Sequence, residues 1–84
     1  MLKLYIQKYQ YPYMPVMDPR YFLMQVRPAV RHGLDESKVT SIRHAMTQVA
    51  LISYLMGMGY DYYDALMLVE SWEIDEMFPG ERMI

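Results

Sequence analysis

The stretch DESKVTSIRHAMTQVALISYLMG, residues 35–57, decides how this chain folds. Val39, Ile42, Met46 and Val49 recur at spacings of three and four, which is one face of a helix. Lys38, Ser41, Arg43 and Thr47 fall off that stripe. From Val49 the polar face disappears, and VALISYLMGM is apolar nearly all round, the mark of a buried helix. Asp35 is the expected N-cap, and the corner at Gly57 and Gly59 the expected stop. At 1.5 Å per residue the segment spans roughly 33 Å, about the width of a small domain. It reads as a spine whose C-terminal half is enclosed by the rest of the chain or by other chains.

Two further helices flank it. Asp18-Pro19 pairs an N-cap residue with a proline at the first helical position. The helix that follows is expected to run to about Arg27, with Phe22, Leu23, Val26, Ala29 and Val30 lining one side. Pro28 should kink or break it, and His32-Gly33 should end it. Beyond the corner, Asp61 is the next cap, with Asp64 in the position of a capping-box acid. This third helix is expected to run to about Met77, on a stripe of Tyr62, Ala65, Leu66, Val69 and Trp72. Pro79-Gly80 stops it. Its last two turns would hold Glu70, Glu73, Asp75 and Glu76, acids at the end of a helix that favours cations.

Residues 1–17 differ in kind. Leu2, Leu4 and Ile6 alternate with Lys3, Tyr5 and Gln7, and Tyr9, Tyr11 and Tyr13 continue the period of two. Tyrosine favours strands, while Pro12 and Pro15 forbid a central one. A short strand over about 2–9 and an extended segment to Met17 are expected; Leu2, Ile6 and Tyr9 also fit a helix. No later segment reads as a partner strand, and a solitary strand leaves its backbone groups unpaired. The arm therefore pairs with another polypeptide, lies along its own helices, or stays unfolded. Its apolar character argues against the last.

At 84 residues the chain is expected to be one domain, an extended arm over 1–17 and a helical body over 18–84. A chain of this size has a marginal core, and small domains add disulfides, a metal or oligomerisation. Cysteine is absent, which removes disulfides and thiolate sites. His32 and His44 are too far apart in sequence for a metal motif, and no glycine loop suits a phosphate. Glu70, Glu73 and Glu76 read as surface charge. No cofactor is implied, and an enzyme has no residues to rest on. The first residues lack the pattern of a secretory signal and no run approaches the roughly 20 residues of a membrane span. The expected location is the cytoplasm, with no membrane partner.

Net charge is −2 but unevenly spread. Residues 1–44 carry Lys3, Lys8, Arg20, Arg27, Arg31, Lys38 and Arg43 against Asp18, Asp35 and Glu36, a balance of +4. Residues 45–84 carry Arg82 against Asp61, Asp64, Glu70, Glu73, Asp75, Glu76 and Glu81, a balance of −6. Such a chain can fold back on itself or pack head to tail with a copy. Arg20, Arg27 and Arg31 share a face if the first helix continues through Pro28. The spine, corner and third helix have the outline of a helix-turn-helix, but the second helix of the pair would set six acids against phosphates, which disfavours nucleic acid.

The corner carries a resemblance. LMGMGYDYYDALMLVE, through Met58, Gly59, Tyr60, Ala65 and Leu66, resembles the first-loop-second-helix signature of ubiquitin-associated-type domains. The third helix of such a domain would fall in SWEIDEMFPGERMI, which Pro79 interrupts. The resemblance implies an adaptor that binds a protein through the Met56–Tyr60 corner. In length, Tyr and Met content and apolar arm, the chain is also similar in kind to small bacteriophage assembly proteins.

The expected protein is thus mainly α, a three-helix domain with an N-terminal arm. Its expected role is non-catalytic assembly, with copies of itself or a larger protein. The arm (Leu2, Leu4, Tyr5, Ile6, Tyr9, Tyr11, Tyr13) would dock on the partner. Arg20, Arg27 and Arg31 would complement Glu70, Glu73 and Glu76 and set the register. The adaptor reading through Met58 and Tyr60 stands second, and nucleic-acid binding third.

Overall fold

The computed structural model describes residues 18–84. The expected strand and extended segment before Asp18 lie outside the described residues. Three α-helices follow: α1 over Pro19–Val39, α2 over Ile42–Gly57 and α3 over Tyr62–Ser71. A short 3-10 turn, η1, closes the chain at Glu81–Met83. The chain is mainly α, as its periodicity required.

Asp18 is extended and accepts a hydrogen bond from the Arg20 amide at 2.9 Å, so α1 starts where the Asp-Pro pair places it. It does not stop where expected. The helix passes through Pro28 and Gly33 and continues to Val39. Pro28 deprives the Met24 carbonyl of its i+4 donor, but the next residue, Ala29, is fully buried in the core. The helix is thus continuous across the proline. Gly33 is buried as well, and a Cβ added there would overlap the Cγ2 of Val49. Its glycine serves a close approach of α1 to α2 rather than a helix end.

The boundary between the first two helices moves accordingly. Residues 35–39 form the last turn of α1, so Asp35 lies inside the first helix rather than capping the second. Thr40 ends α1 by donating both its amide and its hydroxyl to the Glu36 carbonyl, each at 2.8 Å. Ser41 caps α2, its hydroxyl accepting from the His44 amide at 3.0 Å. The far end of α2 closes as a Schellman motif. Gly59 is left-handed at φ 113, its amide reaches the Met56 carbonyl, and the Tyr60 amide reaches the Leu55 carbonyl.

Asp61 caps α3, accepting from the Asp64 amide at 2.8 Å. The helix ends at Ser71, six residues before the expected stop. Ile74 and Met77 then pair as an antiparallel bridge around Asp75 and Glu76, which sit at φ 54 and 63. Two positive φ angles make this a primed two-residue turn. Of the four acids assigned to the helix end, only Glu70 remains in it, which relieves the conflict with the dipole. The turn sends Phe78 back into the core, beside Ala29, Ile52, Ala65 and Val69. Leu51, Leu55, Tyr62 and Leu66 pack around these.

The cap assignment is directly testable. Ser41→Ala should lower stability to urea by about 1 kcal/mol. Asp35→Ala should change it by less than about 0.5 kcal/mol, because the exposed Asp35–Lys38 pair it removes is worth little.

Candidate interaction surface

The stripe that marked α2 in the sequence does not face the core. Val39, Ile42 and Met46 are 73%, 70% and 68% exposed, and Val49 is half-buried. The buried positions of α2 are His44, Ala45, Gln48 and Ile52. Nor is the C-terminal half enclosed all round: Tyr54 and Met58 are exposed.

What turns α2 this way is a polar cluster in the interior. His44 Nδ1 lies 2.7 Å from Glu81 Oε1, and both side chains are buried. The Phe78 amide donates to the same Glu81 oxygen at 3.1 Å, and the Phe78 ring stacks on the imidazole at 5.0 Å between centroids. Burial pushes the Glu81 carboxyl up, but the hydrogen bonds from His44 and Phe78, with the charges of His44 and Arg43, outweigh it and hold the group below the ordinary carboxylate value. Glu81 is therefore ionised, and an ionised carboxylate accepts. The imidazole proton must sit on Nδ1. On the other side of the ring, Nε2 is 3.6 Å from Glu73 Oε1, and Gln48 donates to Glu73 Oε2 at 2.6 Å. Arg43 completes the clasp by donating to the carbonyls of Arg82 and Ile84. The two carboxylates lie across the ring from one another and share no common point at which to chelate an ion. Among the described residues no group of three His, Cys, Asp or Glu side chains is placed to hold a metal.

With the polar side turned inward, the apolar side borders a groove between α1 and α2. Val30, Gly33, Leu34 and Ser37 line it from α1, and Ile42, Ala45, Met46, Val49 and Ala50 from α2. Its volume is about 490 Å³, within the range of ligand-sized clefts. Leu23, Met24 and Val30 extend the exposed apolar surface toward the start of α1, flanked by Arg20, Arg27 and Arg31. Because α1 is continuous, those three arginines do share a face. Arg20 is bonded to Asp18 at 2.7 Å.

The other candidate residues are dispersed. Leu2, Leu4, Tyr5, Ile6, Tyr9, Tyr11 and Tyr13 lie outside the described residues. Met58 and Tyr60 are exposed at the α2–α3 corner. Glu70 and Glu76 are exposed, whereas Glu73 is half-buried against Gln48 and His44. Among the described residues no arginine of α1 pairs with these glutamates. Sequence reasoning missed the His44–Glu81 pair, whose members are 37 residues apart. It identified the apolar stripe of this segment but not the side to which it turns. No helix among the described residues is long and apolar enough to cross a membrane. Comparison of the chain with protein-family models, curated proteins and solved structures finds no match in any of the three.

The Glu81 carboxyl sets an acid dependence. Its folded value lies below the ordinary 4.5, so the stability it contributes is complete above that value and is lost as pH falls toward and through the folded one. Urea unfolding between pH 7 and about pH 3 should show a steeper acid loss in the native chain than in Glu81→Gln. His44→Ala, which leaves the Glu81 charge buried and unpaired, should cost about 3 kcal/mol at neutral pH.

Proposed function

We propose that the chain is a non-catalytic assembly protein that self-associates through the apolar face of α1 and α2. The observation that carries this reading is the exposure of the α2 stripe. Val39, Ile42 and Met46 have the spacing of a buried helix face, yet they lie open beside Leu34 and Val30. Contiguous apolar surface of this kind marks interaction sites. Full burial of a Leu, Ile or Met side chain contributes about 1.5–3 kcal/mol, so a few such residues supply much of an interface. The small core supports the same reading. Three of the six buried apolar side chains among the described residues are alanines, and domains of this size commonly draw on oligomerisation.

Charge would set the register of such an assembly. Arg27 and Arg31 are exposed on α1, and Glu70 and Glu76 are exposed near the end of α3 and in the turn that follows it. A second copy placed head to tail would bring the two sets together, and complementary charge of this sort steers association. The adaptor reading draws on a different observation, the exposure of Met58 and Tyr60 at the corner. It requires a free chain that is monomeric.

Light scattering after size exclusion, on the full chain at micromolar and higher concentration, distinguishes them. A defined oligomer is expected, weakening as salt rises. Leu34→Glu with Met46→Glu should weaken association at least tenfold, about 1.4 kcal/mol or more, with the helical content of the chain unchanged. A native chain that stays monomeric throughout would transfer the function to the corner.

A further inference from the structure

We infer that residues 77–84 exchange between two copies of this chain, leaving the body that bears them and closing on the other, so that Glu81 of each chain bonds to His44 of its neighbour. The exchange does not use the apolar face of α1 and α2, and it stands apart from association through that face.

The hinge is the first support. Asp75 and Glu76 hold φ 54 and 63. A primed two-residue turn is made at little cost by Asn-Gly or Gly-Gly, whereas side chains at positive φ carry a steric cost. Two exposed carboxylates also stand side by side at this turn. The turn buries little of its own: Ile74 is 66% exposed and Met77 is half-buried. Its tie is a pair of backbone hydrogen bonds between Ile74 and Met77, at 2.7 and 3.1 Å. In an extended conformation Asp75 and Glu76 lose the strain. Two opened hinges in antiparallel register can then make the same pair of bonds, Ile74 of one chain to Met77 of the other. A short hinge under strain favours this kind of exchange between copies.

The segment is portable. The Glu81 amide donates to the Phe78 carbonyl at 2.9 Å, and the Phe78 amide donates to the Glu81 carboxylate at 3.1 Å. The Met83 amide donates to the Gly80 carbonyl at 2.9 Å. These bonds lie inside the segment and travel with it. Its hold on the body comes from Glu81 on His44, from the Phe78 ring on the imidazole and in the apolar core, and from Arg43 on the carbonyls of Arg82 and Ile84. A second copy offers each of these contacts in identical form. Exchange remakes the clasp and changes the turn.

Glu73 fixes the near side of the hinge. It precedes the turn and accepts from Gln48 of its own body at 2.6 Å. Five residues separate it from Phe78, about 17 Å when extended. That length joins two bodies whose His44 sites face each other. Each imidazole then lies between Glu73 of its own chain and Glu81 of the other, so both chains build the site.

The test uses the full chain carrying Leu34→Glu and Met46→Glu, which removes association through the apolar face. Concentrated samples are held in urea just below the unfolding midpoint, returned to native buffer and measured by light scattering after size exclusion. A dimer that persists on dilution and at high salt is expected. Asp75→Asn with Glu76→Gly relaxes the closed turn and should weaken dimerisation at least tenfold. Deleting Asp75 and Glu76 removes the reversal and should strengthen it at least tenfold. A deletion chain that keeps its helical content and stays monomeric overturns the inference. If the deletion chain loses its helices, a mixture decides. His44→Ala and Glu81→Gln chains are carried through the urea step together. The exchanged pair of unlike chains rebuilds one native clasp, which neither chain can form with its own kind. Native mass spectrometry should therefore find mixed over like dimers in a ratio at least tenfold above random pairing. Random pairing, or monomers alone, overturns the inference. A native chain that fails to associate through its apolar face overturns the proposed function and leaves these outcomes unchanged.

Discussion

His44 and Glu81 meet at 2.7 Å in the interior, and that contact sets the rotation of α2 about its axis. A buried carboxylate without a partner costs several kcal/mol. Once Glu81 is inside, the helix must present His44 to it. Position 48 follows one turn later on the same face, and Gln48 reaches Glu73. Ile52 follows a turn after that and joins the apolar core. The face of α2 seen by the body is therefore polar at its start and apolar further along. Its opposite face, the one with Ile42 and Met46, is turned outward as a direct consequence.

The same contact organises the last thirteen residues. A helix continued to Met77 would carry Glu73 and Phe78 along its axis and away from α2. Ending α3 at Ser71 and reversing through Asp75 and Glu76 returns the chain to the start of α2. There Phe78 stacks on the imidazole and Glu81 bonds to it. Non-glycine residues at positive φ carry a steric cost. Here it is offset by the hydrogen bonds that Glu81 makes with His44 and with the Phe78 amide. The interior this produces is small and partly polar, which leaves apolar side chains of α1 and α2 exposed.

Much of the fold was legible because it rests on local chemistry. Asp18-Pro19 and Asp61 announce their helices through capping that needs no tertiary partner. The Gly59 corner does so through its left-handed backbone. Most of the stripe of α3 was also legible: Ala65 and Val69 are buried and Tyr62 and Leu66 pack on the core, whereas Trp72 lies just past the helix and is exposed. Pro28 and Gly33 misled for the opposite reason. Both weaken a helix in isolation, and both are retained by packing against α2 that propensity does not record. Asp35 and Ser41 are each acceptable caps, and the length of α1 chose between them. The least legible feature was the polar cluster. His44, Gln48, Glu73 and Glu81 are ordinary surface residues until the chain returns through a primed turn, and IDEM lacks the Asn or Gly that announces one. Period alone could not say that the apolar stripe of α2 faces outward, because a partner's surface and a core impose the same spacing.

The outward stripe that a second copy covers is the central claim, and Met46 reports on it directly. Methionine methyl groups labelled with ¹³C, observed with a soluble paramagnetic agent over a dilution series, would show whether solvent reaches that side chain. The Met46 signal should broaden in the dilute chain and become protected as concentration rises. Protection at every dilution would place the stripe inside a single chain, and broadening at every concentration would mean that no copy covers it.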